Sequence, residues 1–298
     1  MRYRPFLDGP WRLAMGLKAL DLREWIEIDE HFEGQLADRR RLLDQRQGEV
    51  LGALPESAAG QAEVLELLLD HLPQRFPEHY RRTNGELINL VTGERFELAE
   101  WAGTPLELAG RLVQEDLCLL QRGAAGYRLV AAILCFPAHW RLSDKLGHPL
   151  DVIHEPVPGF GERLAPTVDR FFTGLQVLRP VWRANWSLVD TPERFLPPEH
   201  RKAGKALDAE RAGETLWLRV ERQTLRRLPR SGDVLFGIRT YVEPLASAVD
   251  GAQAAQGLAA RIEELPEAMA RYKGILPIRA PLLAWLAERA RQGPSAGG

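Results

Sequence analysis

The chain has 298 residues, which is enough to bury one large core or two smaller ones. Hydrophobic residues make up 45% and charged residues 27%, as in an ordinary globular protein, and the net charge of −2 predicts no broad basic surface for nucleic acid. No apolar run reaches the roughly eighteen residues needed to cross a bilayer, and the N-terminus lacks an apolar signal core. We therefore expect a cytoplasmic protein that does not enter a membrane.

The first 80 residues are predicted to be mainly helical. A segment with several large apolar residues, 17–32, is followed by a charged run at 38–46 and by the segment 62–72. Apolar residues recur in this last segment at intervals of three and four, as one face of a helix requires. Pro73 and Pro77 are expected to end that helix, because proline lacks the N–H that continues the hydrogen-bond ladder.

A small hairpin and a short helix are predicted next. Thr92 and Gly93 form a turn signal between two strand-like segments. Thr104 followed by Pro105 predicts the start of a helix that runs to Gln114. Residues 1–115 are thus predicted to form an N-terminal helical region with a small hairpin.

The pattern then changes to strands. Two apolar runs, 117–121 and 127–136, flank a glycine-containing turn at 123–126 and predict a hairpin. The two cysteines, Cys118 and Cys135, lie on these runs about four residues out of register, or roughly 13 Å along a strand. That separation is too large for a disulfide, so both are expected to be free.

A helical and irregular crossover at 139–178 separates this hairpin from three further strand-like runs. The turn at 229–233 joins the last two runs. The three runs are 181–189, 215–228 and 234–242. Two strands, a helical crossover and three antiparallel strands follow each other as in a PAS-like domain, whose curved sheet and helices enclose a ligand pocket. We therefore predict an α+β fold with a PAS-like core at 116–246.

The remaining segments are predicted to be peripheral. The polar, proline-containing stretch 196–213 is expected to be a surface loop or a short lid. Residues 252–291 are predicted to be helical, with a break at Pro266. The tail 293–298 is expected to be disordered. These helices and the tail make up a C-terminal region at 247–298.

His154 is the leading candidate for a ligand residue. Pro156 and Pro158 restrict the backbone beside it, so its imidazole is held at a set position. A neutral imidazole is a common iron ligand, and its other nitrogen usually donates to a carbonyl or carboxylate. The alternative is a histidine that only hydrogen-bonds its own turn. His148 is the main competitor for the ligand role, and His139 is a weaker one.

The helix after His154 carries large apolar side chains along one side. Core packing is expected for most of them, and a flat apolar cofactor also needs such a wall. They are Leu164, Val168, Phe171, Phe172 and Leu175.

Three arginines are candidates for binding the carboxylates of a cofactor, because guanidinium binds carboxylates through paired donors. The best is Arg183, which lies between Trp182 and Trp186 in an otherwise apolar strand. Asn185 should share its face. The three candidates are Arg163, Arg183 and Arg239.

Several separated blocks resemble a known family. They are HEPVPGF at His154, VDRFF in the following helix, PVWRANWSL at Arg183, and RVERQTLRRLPRSGDVLFGIRTYVEPL in the last two strands. The chain resembles the catalytic heme subunit of the heme-dependent oxidative N-demethylases from about Pro5 to about Arg279.

The resemblance implies a monooxygenase that uses heme b. Heme would activate dioxygen, an N-methyl group of a small secondary amine such as dimethylamine would be oxidised, and the unstable carbinolamine would release formaldehyde. Electrons would come from NADPH through a separate reductase that carries flavin and a 2Fe–2S cluster, and a folate-binding subunit can associate. In this interpretation His154 binds the iron and the three arginines anchor the heme propionates.

An amine pocket would also need groups that bind a cation. An aromatic wall can do so through cation–π attraction, worth roughly 0.5–2 kcal/mol, and a carboxylate adds charge. Ordinary core or rim packing is the alternative for aromatic residues in strands. The candidates are Trp186, Tyr241 and Glu243.

Other classes of function find no support in the sequence. It lacks the GxSxG, P-loop, HExxH, CxxC and GxGxxG motifs, so neither a hydrolase, a kinase nor a dinucleotide site of those types is indicated. The second hypothesis is a PAS-like sensor or binding protein that holds heme or another small ligand without turnover. A scaffold without any cofactor is a third.

Overall fold

The computed structural model describes residues 1–200 and 211–292. Within them the fold is α+β, as predicted. A seven-stranded antiparallel sheet forms the centre, a three-stranded sheet lies apart from it, and ten α-helices pack around both. No helix in these two ranges is long and apolar enough to cross a membrane.

The N-terminal part is less helical than predicted. Instead of forming a helix, the segment 17–32 contributes a two-residue strand that pairs with Val181 and Trp182. Trp25 and Ile26 of this segment are buried in the core, so tertiary contacts override its local pattern. The elements here are β1 (Lys18–Ala19), α1 (Phe32–Val50), β2 (Leu51–Ala53) and α2 (Ala58–Arg75).

Helix α2 ends at Arg75, between the two prolines that were expected to close it. Pro73 does not end the helix but lies within its last turn, and Pro77 follows the end of the helix. A proline so close to the C-terminal end removes few of the helix's hydrogen bonds, so the last turn tolerates it.

The small hairpin and the next helix form where predicted. The hairpin strands are β4 (Glu86–Asn89) and β5 (Arg95–Glu97), and β3 (Tyr80–Thr83), which was not predicted, pairs with β4. Gly93 takes a φ of +74° in the turn, and the Asn89 side chain accepts hydrogen bonds from two backbone N–H groups of that turn. Helix α3 (Pro105–Leu112) begins at Pro105 and ends two residues before Gln114.

The predicted strands of the core all form. They are β6 (Asp116–Gly123), β7 (Gly126–Ile133), β8 (Val181–Val189), β9 (Trp217–Arg227) and β10 (Val234–Pro244). The strand order across the sheet is β1-β8-β9-β10-β6-β7-β2. Strand β6 therefore pairs with β10, the last of the five, and the short strands β1 and β2 cover the two edges.

Both cysteines are free and buried, which confirms that they form no disulfide. Cys118 lies opposite Ala132, because a bulge between Leu119 and Leu120 shifts the register of the hairpin by one residue. Cys135 lies beyond the end of β7, which is shorter than predicted.

The crossover and the C-terminal region are helical. The crossover contains α4 (Leu150–Ile153), a single π-helical turn at Phe160–Leu164, and α5 (Ala165–Gly174). The later helices are α6 (Ala212–Thr215), α7 (Leu245–Ala248), α8 (Ala252–Glu264), α9 (Glu267–Tyr272) and α10 (Arg279–Arg291). The break at Pro266 is confirmed. The tail 293–298 and most of the expected lid, 201–210, lie outside the described residues.

The two faces of the main sheet are covered by different parts of the chain. One face, here called the crossover face, packs against α5 and the residues around it, and Val181, Leu225 and Phe236 point to it. The opposite face packs against the N-terminal and C-terminal helices, and Trp182 and Trp186 point to that side.

Candidate functional site

His154 has a fixed ring orientation on the crossover face. It follows the last residue of α4, and its Nδ1 lies 2.7 Å from the Leu150 carbonyl oxygen. Since a carbonyl only accepts, Nδ1 carries the proton and the neutral ring keeps its lone pair on Nε2. Gly159 turns the chain with a φ of +76°, and Phe160 then stacks on the imidazole at 4.5 Å. Metal-binding histidines are commonly held in this way.

The surroundings of His154 favour the neutral form of its ring. Burial lowers its pKa from the usual 6.5, the hydrogen bond to Leu150 acts in the opposite direction, and repulsion from Lys145 and Arg183 lowers the pKa further. The neutral imidazole, which is the form that binds metals, is therefore favoured near pH 7.

Arg183 lies in β8, directly opposite Gln223 of β9, on the same face as His154. Its guanidinium donates no hydrogen bond within the described residues, and its Nε is buried without an acceptor. Burial lowers the pKa of Arg183, and attraction to Glu221 only partly offsets this. A buried guanidinium with free donors matches the carboxylate of a bound ligand. Asn185 shares this face, as predicted from the alternation along the strand.

Two lysines that the sequence analysis missed lie near these residues, Lys145 near His154 and Lys273 near Arg183. Lys145 places its Nζ 4.0 Å from the centre of the Trp140 ring. Lys273, just after α9, donates to the backbone oxygen of Trp186 at 2.7 Å and lies 3.4 Å from Asn185 Oδ1. Burial lowers the pKa of Lys145, and it lowers the pKa of Lys273 to about 8. No local sequence signal marks either lysine, because tertiary packing alone brings them to this face.

One carboxylate, Glu221, interacts electrostatically with Arg183, Lys145 and Lys273. Glu221 lies opposite Asn185, and it accepts hydrogen bonds from Arg219 Nε and Gln223 Nε2, both at 3.2 Å. The carboxylate is thus already engaged by another arginine. Three cations therefore face one compensated anion, and this excess of positive charge suits an anionic ligand.

An apolar wall completes this side of the protein. As predicted, the large side chains of α5 and its flanks pack on the crossover face; Val168, Phe172 and Leu175 are buried, while Leu164 and Phe171 are partly buried. An iron porphyrin needs an axial nitrogen, cations for its carboxylates and an apolar surface. The residues of the crossover face provide all three kinds of group, so their chemistry fits an iron porphyrin.

Two cavities found among the described residues lie elsewhere. One, of about 190 Å³, is lined by Trp285 and Glu288, among others. The other, of about 60 Å³, lies beside Trp140 and Phe195. His154 lines neither.

The competing histidines are placed differently. His148 is exposed, and its backbone carbonyl accepts a hydrogen bond from Leu129 N–H. His139 has a φ of +61°, and its backbone N–H donates to the Leu196 carbonyl. His154 combines a ring anchored at Nδ1 with electrostatic interactions with Arg183 and Lys145.

Other predicted site residues lie away from His154. Arg239 is fully buried on the opposite face, where it donates to Asp29 Oδ2 at 2.6 Å and to Gln35 Oε1 at 2.7 Å. Tyr241, on the same side, donates to Glu27. These side chains belong to a buried polar network between the sheet and the N-terminal segment.

The remaining three candidates have separate surroundings. Trp186 packs edge-on against Phe6 on the opposite face. Glu243 binds the N-terminal ammonium of Met1 at 2.8 Å. Arg163 is exposed on the π-helical turn that follows His154. The structure thus brings His154 and Arg183 together but places Trp186, Arg239, Tyr241 and Glu243 elsewhere.

Residues 16–283 match the family described as "Haem-dependent oxidative N-demethylase, alpha subunit-like". The chain belongs to this family. The match confirms the family that the blocks around His154 and Arg183 predicted, and it spans the chain from just before β1 into α10. The family's description names heme dependence, oxidative N-demethylation and a subunit of a larger assembly.

Proposed function

We propose that this protein is a heme-dependent monooxygenase that removes an N-methyl group from a small secondary amine resembling dimethylamine and releases formaldehyde. The observation that carries the proposal is the anchored imidazole of His154, which shares the crossover face with Arg183, whose guanidinium donates no hydrogen bond to any described residue. The chain also belongs to a family described as heme-dependent oxidative N-demethylases, which supports heme as the ligand and N-demethylation as the reaction.

His154 would hold the iron of heme b through Nε2. The Leu150 carbonyl fixes the tautomer, and Phe160 fixes the plane of the ring. An imidazole that is already fixed in place loses little conformational freedom when it binds iron. The hydrogen bond from Nδ1 also raises the basicity of Nε2.

Arg183 would bind a heme propionate, with Lys145 and Lys273 adding positive charge beside it. Arg163, exposed on the turn next to His154, remains a candidate for the second propionate. For Arg239 and Tyr241 we propose a structural role instead, because Asp29 and Glu27 already engage them on the opposite face.

Bound heme would supply the oxidative chemistry, and α5 would shield it from water with its apolar side. Electrons would reach the site from NADPH through an external reductase with flavin and 2Fe–2S groups, and a folate-binding subunit is a further candidate partner. The description "alpha subunit-like" supports assembly with other subunits.

We also propose that residues 116–246 form a PAS-like core flanked by N-terminal and C-terminal helical regions. The order β7-β6-β10-β9-β8, with the crossover helices on one face, supports this assignment. For the amine we propose binding on the crossover face. Trp186 and Glu243 would then stabilise the fold through their contacts with Phe6 and the N-terminus and would not touch the amine.

The visible spectrum of the full chain purified from heme-supplied cells tests the proposal. We expect a Soret band of stoichiometric intensity, and formaldehyde release when dimethylamine and a surrogate reductant are added. Heme binding without formaldehyde would favour the sensor hypothesis. Protein without heme would contradict both.

A further inference from the structure

Arg226 is a buried cation on the face of the sheet opposite His154. It lies in β9 and is only 7% exposed. Its guanidinium stacks over the Trp25 ring at 4.2 Å, yet it donates no hydrogen bond to any described residue, and its Nε is buried without an acceptor. Burial lowers the pKa of Arg226 to about 10, against a weaker attraction to Glu63.

A second unsatisfied polar group lies beside it. His71 of α2 packs edge-on against Trp25 at 5.3 Å, and its Nε2 is buried without a hydrogen-bond partner in the described chain. Burial lowers the pKa of His71 to about 4, and repulsion from Arg226 and Arg75 contributes. Trp25 thus contacts two buried side chains, and each has a polar atom without a hydrogen-bond partner among the described residues.

The carboxylate that acts on Arg226 is already engaged. Both oxygens of Glu63 accept backbone hydrogen bonds in the β9–β10 turn, from Arg230 N at 2.7 Å and from Ser231 N at 2.8 Å. A guanidinium with free donors in a buried position costs stability unless an anion reaches it.

We propose that Arg226, together with His71, binds the carboxylate of a ligand on this face. Guanidinium presents paired donors that match the two oxygens of a carboxylate, and the Trp25 ring holds its plane. Because Arg226 is only 7% exposed, we expect it to be reached by a single carboxylate. That carboxylate belongs either to a small organic acid or to an acidic side chain of a partner protein. This site goes beyond the proposed function and does not depend on heme.

The two sources can be separated by NMR of the full chain labelled with ¹⁵N-histidine. Sodium acetate and the side-chain analogue N-acetylglutamate amide are each titrated against the protein. Each one replaces sodium chloride, so the ionic strength stays constant. Both should shift the His71 resonances to saturation and raise the pKa of His71, since a bound anion favours the imidazolium. A rise of about one unit corresponds to about tenfold tighter binding to the charged form. Clearly tighter binding of the glutamate analogue would point to a protein partner, and equal or tighter binding of acetate to a small acid.

Arg226→Gln should abolish the saturable shift. Arg82→Gln is the matched control, because Arg82 is exposed on β3 and pairs with Asp70. The melting temperature gives a second measure, since acetate should raise it for the wild type and the control but not for Arg226→Gln. If neither carboxylate saturates His71 in the wild-type chain, or if Arg226→Gln binds acetate as tightly, the proposal is wrong. The wild-type titration decides this even if the variant fails to fold.

Discussion

The backbone oxygen of Leu150 lies 2.7 Å from Nδ1 of His154, one helical turn further along the chain. This contact determines which nitrogen of the imidazole keeps its lone pair. It also joins the ring to the short helix α4, so that the position of Nε2 follows the position of that helix.

Replacing His154 by alanine should remove the residue proposed to hold the heme iron. We expect heme affinity to fall by at least 10–100-fold, since even the loss of supporting contacts at metal sites has effects of that size. Heme titration followed by the Soret band measures the change. His148→Ala is the control, because His148 is exposed in the same segment. If His148→Ala loses heme and His154→Ala keeps it, His148 is the ligand.

Arg183→Ala should speed heme dissociation about tenfold or more, since a hydrogen bond to a charged group contributes roughly 1.5–3 kcal/mol. The apoprotein should stay folded, because Arg183 donates no hydrogen bond in the described chain. Transfer of heme to apomyoglobin gives the rate. Heme dimethyl ester, which lacks propionate charge, should leave the wild type and the variant at similar rates. Equal rates with ordinary heme would remove Arg183 from this role.

His71 should make the protein sensitive to acid. Its pKa is about 4 in the folded chain against 6.5 for a free imidazole, so the unfolded chain binds the extra proton first. The free energy of unfolding should therefore fall as pH decreases from about 6.5 to 4, by up to about 3 kcal/mol from this group. Urea unfolding at several pH values in this range measures how steeply the free energy of unfolding depends on pH. His71→Gln should flatten this dependence, and an unchanged slope would contradict the assignment.

Glu115 should have the opposite pH dependence. Burial raises its pKa to about 7, and its Oε2 is buried without a hydrogen-bond partner in the described part of the chain. Because the unfolded carboxyl ionises near 4.5, stability from this group is present below that pH and is lost as pH rises to about 7. Glu115→Gln should thus stabilise the protein at pH 8 and change little at pH 4. Thermal unfolding at both pH values tests this, and equal effects at the two would disprove it.

Gly110 of α3 lies against β7. A Cβ added there would lie 2.1 Å from Ile133 Cδ1, far closer than packing allows. Gly110→Ala should therefore destabilise the fold by roughly 1–3 kcal/mol through overpacking. Gly103→Ala is the control, because a Cβ at that position meets nothing within 4 Å. Chemical denaturation distinguishes the two, and equal stabilities would show that α3 can shift without cost.

Much of the sheet could be predicted because its signals are local. The run 181–189 is bounded by Pro180 and is rich in aromatic and branched residues, and the structure gives β8 the same limits. The alternation of side chains then placed Arg183 and Asn185 on one face without further information.

The rest depends on contacts between distant segments. Strand β1 exists only because the edge of β8 is available to pair with it, and its own sequence suggested a helix. Lys273 reaches the site from the C-terminal helices, and the face to which Tyr241 points could not be told until the packing around Glu27 was known. The alternation of side chains along a strand assigns its residues to two faces, but it does not show which face binds a ligand.

The pairing of β6 with β10 has a consequence for biosynthesis. Asp116 lies opposite Ile238, so the hairpin β6–β7 emerges from the ribosome long before its neighbour exists. At ordinary translation speeds the wait is on the order of ten seconds. During that time the outer side of β6 offers unpaired backbone groups to any other nascent chain, so the yield of native protein should depend on chaperones that shield this hairpin until synthesis is complete.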